Sequence, residues 1–171
     1  MKIDIRRYSV NDPVPDISSA QLHLLTDEID SGKTTCIRRW LHEWRKNRID
    51  IFGVVSESVI ENGVKVGYDL LDIRTGERRG LIRSQRFQEN WQLGRFHFDR
   101  RGFARLIEGL LSQRGDLLIL DEIGPLELRR KQGFYPLLRH FLQNKENHTR
   151  LLIVTRRSEI DALKTTLNQL A

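Results

Sequence analysis

A single cysteine, Cys36, stands in this sequence, so no internal disulfide can form, and a zinc site would have to be built from histidines and carboxylates. The histidines at 23, 42, 97, 140 and 148 show no ligand spacing to build one. Long apolar runs are missing as well. None approaches the roughly 18 residues that a membrane-spanning helix needs, and the opening MKIDIRRYSVNDPVPD has no apolar core of a secretory signal. The expectation is a cytoplasmic protein with no membrane partner. There is no internal repeat and no low-complexity tract.

The 171 residues, 39% hydrophobic and 30% charged, suffice for one domain with a sizeable core. A net charge of +6 favours acidic partners. The basic residues are dispersed, however, and come without an aromatic stacking motif or a recognisable binding module, so a nucleic-acid partner is not expected. Oligomeric state is not legible.

Three short apolar runs, Leu22 to Leu25, Leu117 to Leu120 and Leu151 to Val154, lack polar alternation, the pattern of parallel strands buried on both faces. Helical spacing follows in Ile37, Trp40, Leu41 and Trp44, in Phe103, Leu106, Ile107, Leu110 and Leu111, and in Phe134, Leu137, Leu138, Phe141 and Leu142. Strands alternating with helices predict an α/β three-layer sandwich with a mainly parallel central sheet. The stretch 51 to 84 is rich in β-branched residues, with turn signals at Asn62-Gly63 and Thr75-Gly76, and reads as an attached antiparallel meander. Residues 1 to 19, with Pro13 and Pro15, read as an N-terminal arm making few core contacts, ahead of a domain at 20 to 171.

The first apolar run leads into Thr26-Asp27-Glu28-Ile29-Asp30-Ser31-Gly32-Lys33-Thr34-Thr35, and a helix begins at once. That is the order of a P-loop, in which backbone N–H groups and a helix N-terminus cradle phosphates, a lysine neutralises them and a hydroxyl ligates magnesium. Asp30, Ser31, Gly32, Lys33, Thr34 and Thr35 are the candidate phosphate-binding residues. The motif's first glycine is replaced by Asp27, which adds a carboxylate near the phosphates and a side chain where a tight turn is expected; Asp27→Gly should therefore tighten nucleotide binding.

The second run ends in Asp121-Glu122, followed by Gly124-Pro125. Carboxylates at a buried strand end need a cation or strong donors, and Mg2+ shared by Thr34 and Asp121 is the natural candidate. Glu122 is then the candidate to orient or deprotonate an attacking water, with Lys33 as its catalytic companion on the phosphate. Thr155 could sense a γ-phosphate. Arg78, Arg79, Arg156 and Arg157 are possible charge stabilisers.

DEIGPLEL at 121 to 128 is similar to the Asp-Glu-Ile-Gly-x-Met-Glu-Leu signature of the small bacterial and archaeal P-loop nucleoside-triphosphatases related to the human cancer-related nucleoside-triphosphatase. GVVSESVIENGVKVGYDLLDIRTGERRGL at 53 to 81 resembles that family's meander, with Glu57, Gly63, Gly67 and Gly76 in order. The likeness covers residues 20 to 157. It implies a P-loop sheet with a catalytic glutamate and magnesium-dependent hydrolysis of ATP, GTP or another nucleoside triphosphate to diphosphate and phosphate. In that comparison Ala171 precedes the family's last strand and base-contacting segment. Two other functions fit the same motifs: a nucleotide-sensing module weakened by Asp27, and a nucleotide-dependent small-molecule kinase.

Overall fold

The computed structural model describes residues 3–144 and 147–171. The three apolar runs become strands of one sheet. In chain order the strands are β1 Ile5–Tyr8, β2 Leu22–Asp27, β3 Ile51–Glu61, β4 Val64–Asp72, β5 Arg78–Arg83, β6 Asn90–Leu93, β7 Phe96–Asp99, β8 Leu117–Asp121 and β9 Arg150–Arg156. The helices are α1 Lys33–Lys46, α2 Arg100–Leu111, α3 Pro125–Arg130, α4 Tyr135–Gln143 and α5 Ile160–Leu170.

The sheet order is β1-β2-β9-β8-β3-β4-β5-β7-β6. The four interfaces from β1 to β3 are parallel. The four from β3 to β6 are antiparallel. The attached meander is there, and the expectation of a mainly parallel sheet is corrected to one mixed sheet, half of whose strand interfaces are antiparallel. Its cause lies in β3, which is long enough to do two jobs: Ile51–Val54 pair with β8, and Val54–Glu61 form a hairpin with β4. Asn62 (φ 49°) and Gly63 (φ 76°) close that hairpin in the left-handed region that a tight two-residue turn requires.

Consecutive residues of the central strands feed opposite faces, which explains the absence of polar alternation. Leu118 and Leu120 join Leu24, Phe52, Phe103, Leu137 and Leu163 on the face covered by α2, α4 and α5. Leu117 and Ile119 join Leu25, Ile37, Trp40 and Trp44 on the face covered by α1. Each such apolar side chain is worth roughly 1.5–3 kcal/mol on burial, so this double-sided stack sets where the sheet sits.

Residues 1 to 19 do more than an arm would, although the first two lie outside the described residues. β1 extends the parallel edge beside β2. Tyr8, Val10, Val14 and Ile17 pack beside α1, Trp44 Nε1 donates to Pro15 O at 2.9 Å, and Arg39 donates to the carbonyls of Val10 and Asp12. An edge strand of four residues with Arg6 and Arg7 exposed carries no apolar run to announce it. Among the described residues, no helix is long and apolar enough to cross a membrane.

Candidate functional site

β2, β8 and β9 end at the same edge of the sheet, where β3 runs on into its hairpin, and the loop from β2 to α1 leaves from there. Gly32 caps α1 with φ 89°, and a Cβ there would meet nothing within 4 Å. The first helical hydrogen bond, Cys36 N–H to Gly32 O at 2.9 Å, leaves the amides before it without intrahelical partners. α1 has no acidic residue in its first turn, and Arg45 and Lys46 stand in its last. The dipole at its start is therefore free to meet an anion.

Asp30, Ser31, Gly32, Lys33, Thr34, Thr35, Asp121 and Glu122 line one cavity of about 250 Å3, with Ile29, Ser56, Ser58, Tyr68 and Arg156 completing its wall. Lys33 is 8% exposed and its Nζ donates to Glu28 O at 2.7 Å. Ser31 Oγ is buried without a partner. Asp30 (φ 56°) takes an ion pair from Lys65 of β4 at 3.0 Å, which ties the meander to the loop. The phosphate-loop candidates and the acid pair thus line the same space.

Ser56 carried no signal in the sequence, yet it joins the parts. Its N–H donates to Asp121 Oδ2 at 3.1 Å, its hydroxyl donates to Asp121 O at 2.6 Å, and its carbonyl accepts from Thr34 Oγ1 at 3.2 Å. The Thr34 hydroxyl and the Asp121 carboxylate are thereby gathered at one point. Asp121 is 3% exposed, and burial pushes its carboxyl up to about 7 against the opposing pull of the Ser56 amide. A carboxylate so placed fits a hard, oxygen-liganded cation such as magnesium, whose remaining ligands come from water and phosphate. That donor set is small: among the described residues, no group of three or more His, Cys, Asp and Glu is arranged for a metal.

Glu122 points into the cavity and pairs with Arg156, Nε to Oε1 at 2.9 Å. Of the four arginines considered from sequence, Arg156 alone lines the cavity. Arg78 pairs with Glu57, Arg79 with Glu77, and Arg157 with Asp27 and Glu28. Thr155 is withdrawn as a phosphate sensor: it is fully buried and its hydroxyl donates to Ile123 O at 2.6 Å.

Asp27 is not the strained residue that the missing glycine suggests. It is the last residue of β2, and its φ is not positive. Its carboxylate accepts from the amides of Glu28 at 2.9 Å and Val10 at 3.4 Å and faces Arg157. The Glu28 amide is the main reason that its pKa is held below the usual value. The expected benefit of Asp27→Gly is therefore reversed. Losing these tethers loosens the loop, and titration of a non-hydrolysable triphosphate should show affinity weaker by about fivefold, the scale of one ordinary hydrogen bond. Tighter binding would contradict this.

The second glutamate of the 121 to 128 motif has a structural task. Glu127, 4% exposed, accepts from the amides of Gly124 at 3.0 Å and Phe134 at 3.1 Å, and so shapes the turn that follows Glu122. Burial raises its carboxyl from 4.5 to about 7. The folded state therefore favours the protonated form: this contribution to stability is full below about pH 4.5 and lost as pH rises through about 7. Urea midpoints should fall between pH 5.5 and 8 by more in the wild type than in Glu127→Gln; equal slopes would exclude Glu127 as the titrating group.

A family model described as NTPase matches residues 23–170. The nucleoside-triphosphatase THEP1 of Caldivirga maquilingensis is 31% identical over 122 residues, 71% of this chain and 66% of that protein. The THEP1 of Archaeoglobus fulgidus is 29% identical over 122 residues, 71% of this chain and 68% of the relative. The chain thus aligns with about two thirds of the length of these relatives. Among solved structures, the human cancer-related nucleoside triphosphatase superposes with a TM-score of 0.66 at 21% identity, covering 85% of this chain and 84% of that one. THEP1 from Aquifex aeolicus gives 0.64 at 19%, covering 87% and 84%. These two share the fold. With the family model spanning nearly the whole chain over the same residues that build the cavity, the chain belongs to the NTPase family.

Proposed function

We propose that the chain hydrolyses the β–γ phosphoanhydride of nucleoside triphosphates with magnesium, in the cytoplasm where those substrates are made. The observation that carries this reading is the convergence of the phosphate loop and the acid pair on one cavity, with Lys33 and Thr34 facing Asp121 and Glu122. Lys33 leaves the Glu28 carbonyl for the β and γ oxygens, and the amides at the start of α1 hold the phosphate chain. Thr34 and Asp121 would hold the magnesium, which neutralises charge on the β and γ phosphates when bound. Arg156 holds the Glu122 carboxylate through its ion pair and aims it into the cavity. Glu122 takes the proton of a water as its oxygen bonds the γ-phosphorus, and the nucleoside diphosphate leaves. Arg156 also offers charge to the transferring group. The sensing alternative drew on a loop impaired by Asp27, and the unstrained, tethered Asp27 removes that ground.

Lys33→Ala tests the reading. The side chain bonds only a loop carbonyl, so the fold should persist by circular dichroism. Calorimetric titration of a non-hydrolysable triphosphate with magnesium should show affinity reduced on the order of 100-fold, as expected when a charged donor to phosphate is removed. Unchanged affinity would refute the phosphate-loop assignment.

A further inference from the structure

A second cavity, of about 140 Å3, adjoins the first. Its lining is largely apolar, with Leu70, Ile82, Phe96, Phe98, Phe103 and Phe134 among its residues, and also includes the buried Glu127. Hydrolysis has no use for it, since water and phosphates are polar. A largely apolar hollow of this size is costly to leave unfilled, because the lining atoms forfeit dispersion contacts and burial. Ser56, Tyr68, Glu122 and Arg156 line both this cavity and the phosphate cavity. None of the loop residues 29 to 35 borders it. A triphosphate whose γ-phosphate faces Glu122 has its nucleoside at the other end of the phosphate chain, so the base does not fill this space.

We propose that this cavity binds a single uncharged ring carrying a hydroxyl group, and that the hydroxyl replaces water as the acceptor of the γ-phosphoryl group. The proposal rests on the placement of Glu122 in the hydrolytic reading. Size selects the ring, because an apolar cavity of about 150 Å3 accommodates benzene. Chemistry selects an aromatic one: Phe103 stands 5.2 Å from Phe134 and 6.0 Å from Phe98, tilted to both, and offers ring faces and edges to a further ring. Glu127, the other carboxyl of the lining, is engaged by the amides of Gly124 and Phe134, so a seated ring turns its hydroxyl toward the Glu122 carboxylate, which borders both cavities. The alcohol proton passes to Glu122, the alcohol oxygen bonds the γ-phosphorus, and the bond from that phosphorus to the β–γ bridging oxygen breaks. A phosphate monoester and a nucleoside diphosphate result.

Benzyl alcohol is a suitable probe. Calorimetry and ligand-observed NMR should show saturable binding to the full chain, retained when a non-hydrolysable triphosphate and magnesium are present. Leu93→Trp, at the half-buried rim of the cavity, should weaken it at least tenfold. Lys33→Ala should bind the alcohol like the wild type, which separates the cavity from the phosphate loop. With γ-labelled ATP, label should appear in benzyl phosphate as well as in free phosphate. The proposal is overturned by absent saturable binding, by binding indifferent to Leu93→Trp, by displacement on adding triphosphate, or by saturable binding with label only in free phosphate. Phosphate release without alcohol tests the hydrolytic reading by itself, and alcohol binding to Lys33→Ala tests the cavity by itself.

Discussion

Glu122→Gln should bind a nucleoside triphosphate as the wild type does and lose hydrolysis by about 10²- to 10⁴-fold, the range over which a positioned acid or base accelerates proton transfer. The amide keeps the shape of the carboxylate but cannot take a proton. It also cannot form the 2.9 Å ion pair with Arg156, so that guanidinium is released into the cavity. The two consequences fall on different steps. A freed arginine adds positive charge beside the phosphates, and the binding constant should hold or improve slightly, while turnover falls. Single-turnover phosphate release, measured beside calorimetric affinity, separates the steps. Wild-type turnover in Glu122→Gln would place the water elsewhere. A parallel fall in both affinity and turnover would mean that Glu122 organises the site rather than activating water.

The parts of this site that sequence made legible are those whose chemistry conflicts with their surroundings. Asp121 and Glu122 interrupt an apolar run at a buried strand end, and a buried carboxylate needs a reason. Gly32-Lys33-Thr34 stands where a strand gives way to a helix. Ser56 had no such contrast: a serine in a half-buried strand is ordinary, and only the pairing of β3 with β8 puts its amide against Asp121. Arg156 was one arginine among many, and only the pairing of β9 with β8 brings it near Glu122. Asp27 was misread because a motif records the usual residue at a position and not the backbone angle present here.

The same distinction holds for the fold. Runs buried on both faces announced β2, β8 and β9, and helical spacing announced α1, α2 and α4. β1 was missed because an edge strand buries little. β6 and β7 escaped because they are four residues each, paired around Gly94 at φ 58°, and owe their place to Phe98 and Trp91 packing on Phe103 of α2. α5 carries Ile160, Leu163, Leu167 and Leu170 in helical spacing, a signal that was present and passed over.

Gly53→Ala should be among the most damaging single-methyl changes in the chain. Gly53 lies in β3 at φ 118°, a conformation that a residue with a Cβ rarely adopts. A Cβ at this position would stand 2.1 Å from Ile119 O and 2.8 Å from Ile119 N. Those are backbone atoms of β8, fixed by the parallel pairing of Gly53 with Ile119, so no side chain can swing away to make room. The strands must part, and Ser56 is then drawn from Asp121 at the end of the same seam. Combined strain and overpacking place the cost at about 4 kcal/mol or more, enough to consume much of the roughly 5–15 kcal/mol that holds a domain folded. Urea denaturation should show a midpoint far below wild type, or the variant should fail to fold. Gly109→Ala is the contrasting case: Gly109 is exposed on α2, its Cβ would meet nothing within 4 Å, and an alanine there should raise stability by about 0.5–1 kcal/mol. If Gly53→Ala unfolded at the wild-type midpoint, the β3 and β8 backbones could not lie as close as the sheet requires, and the path that brings Ser56 to Asp121 would have to be redrawn.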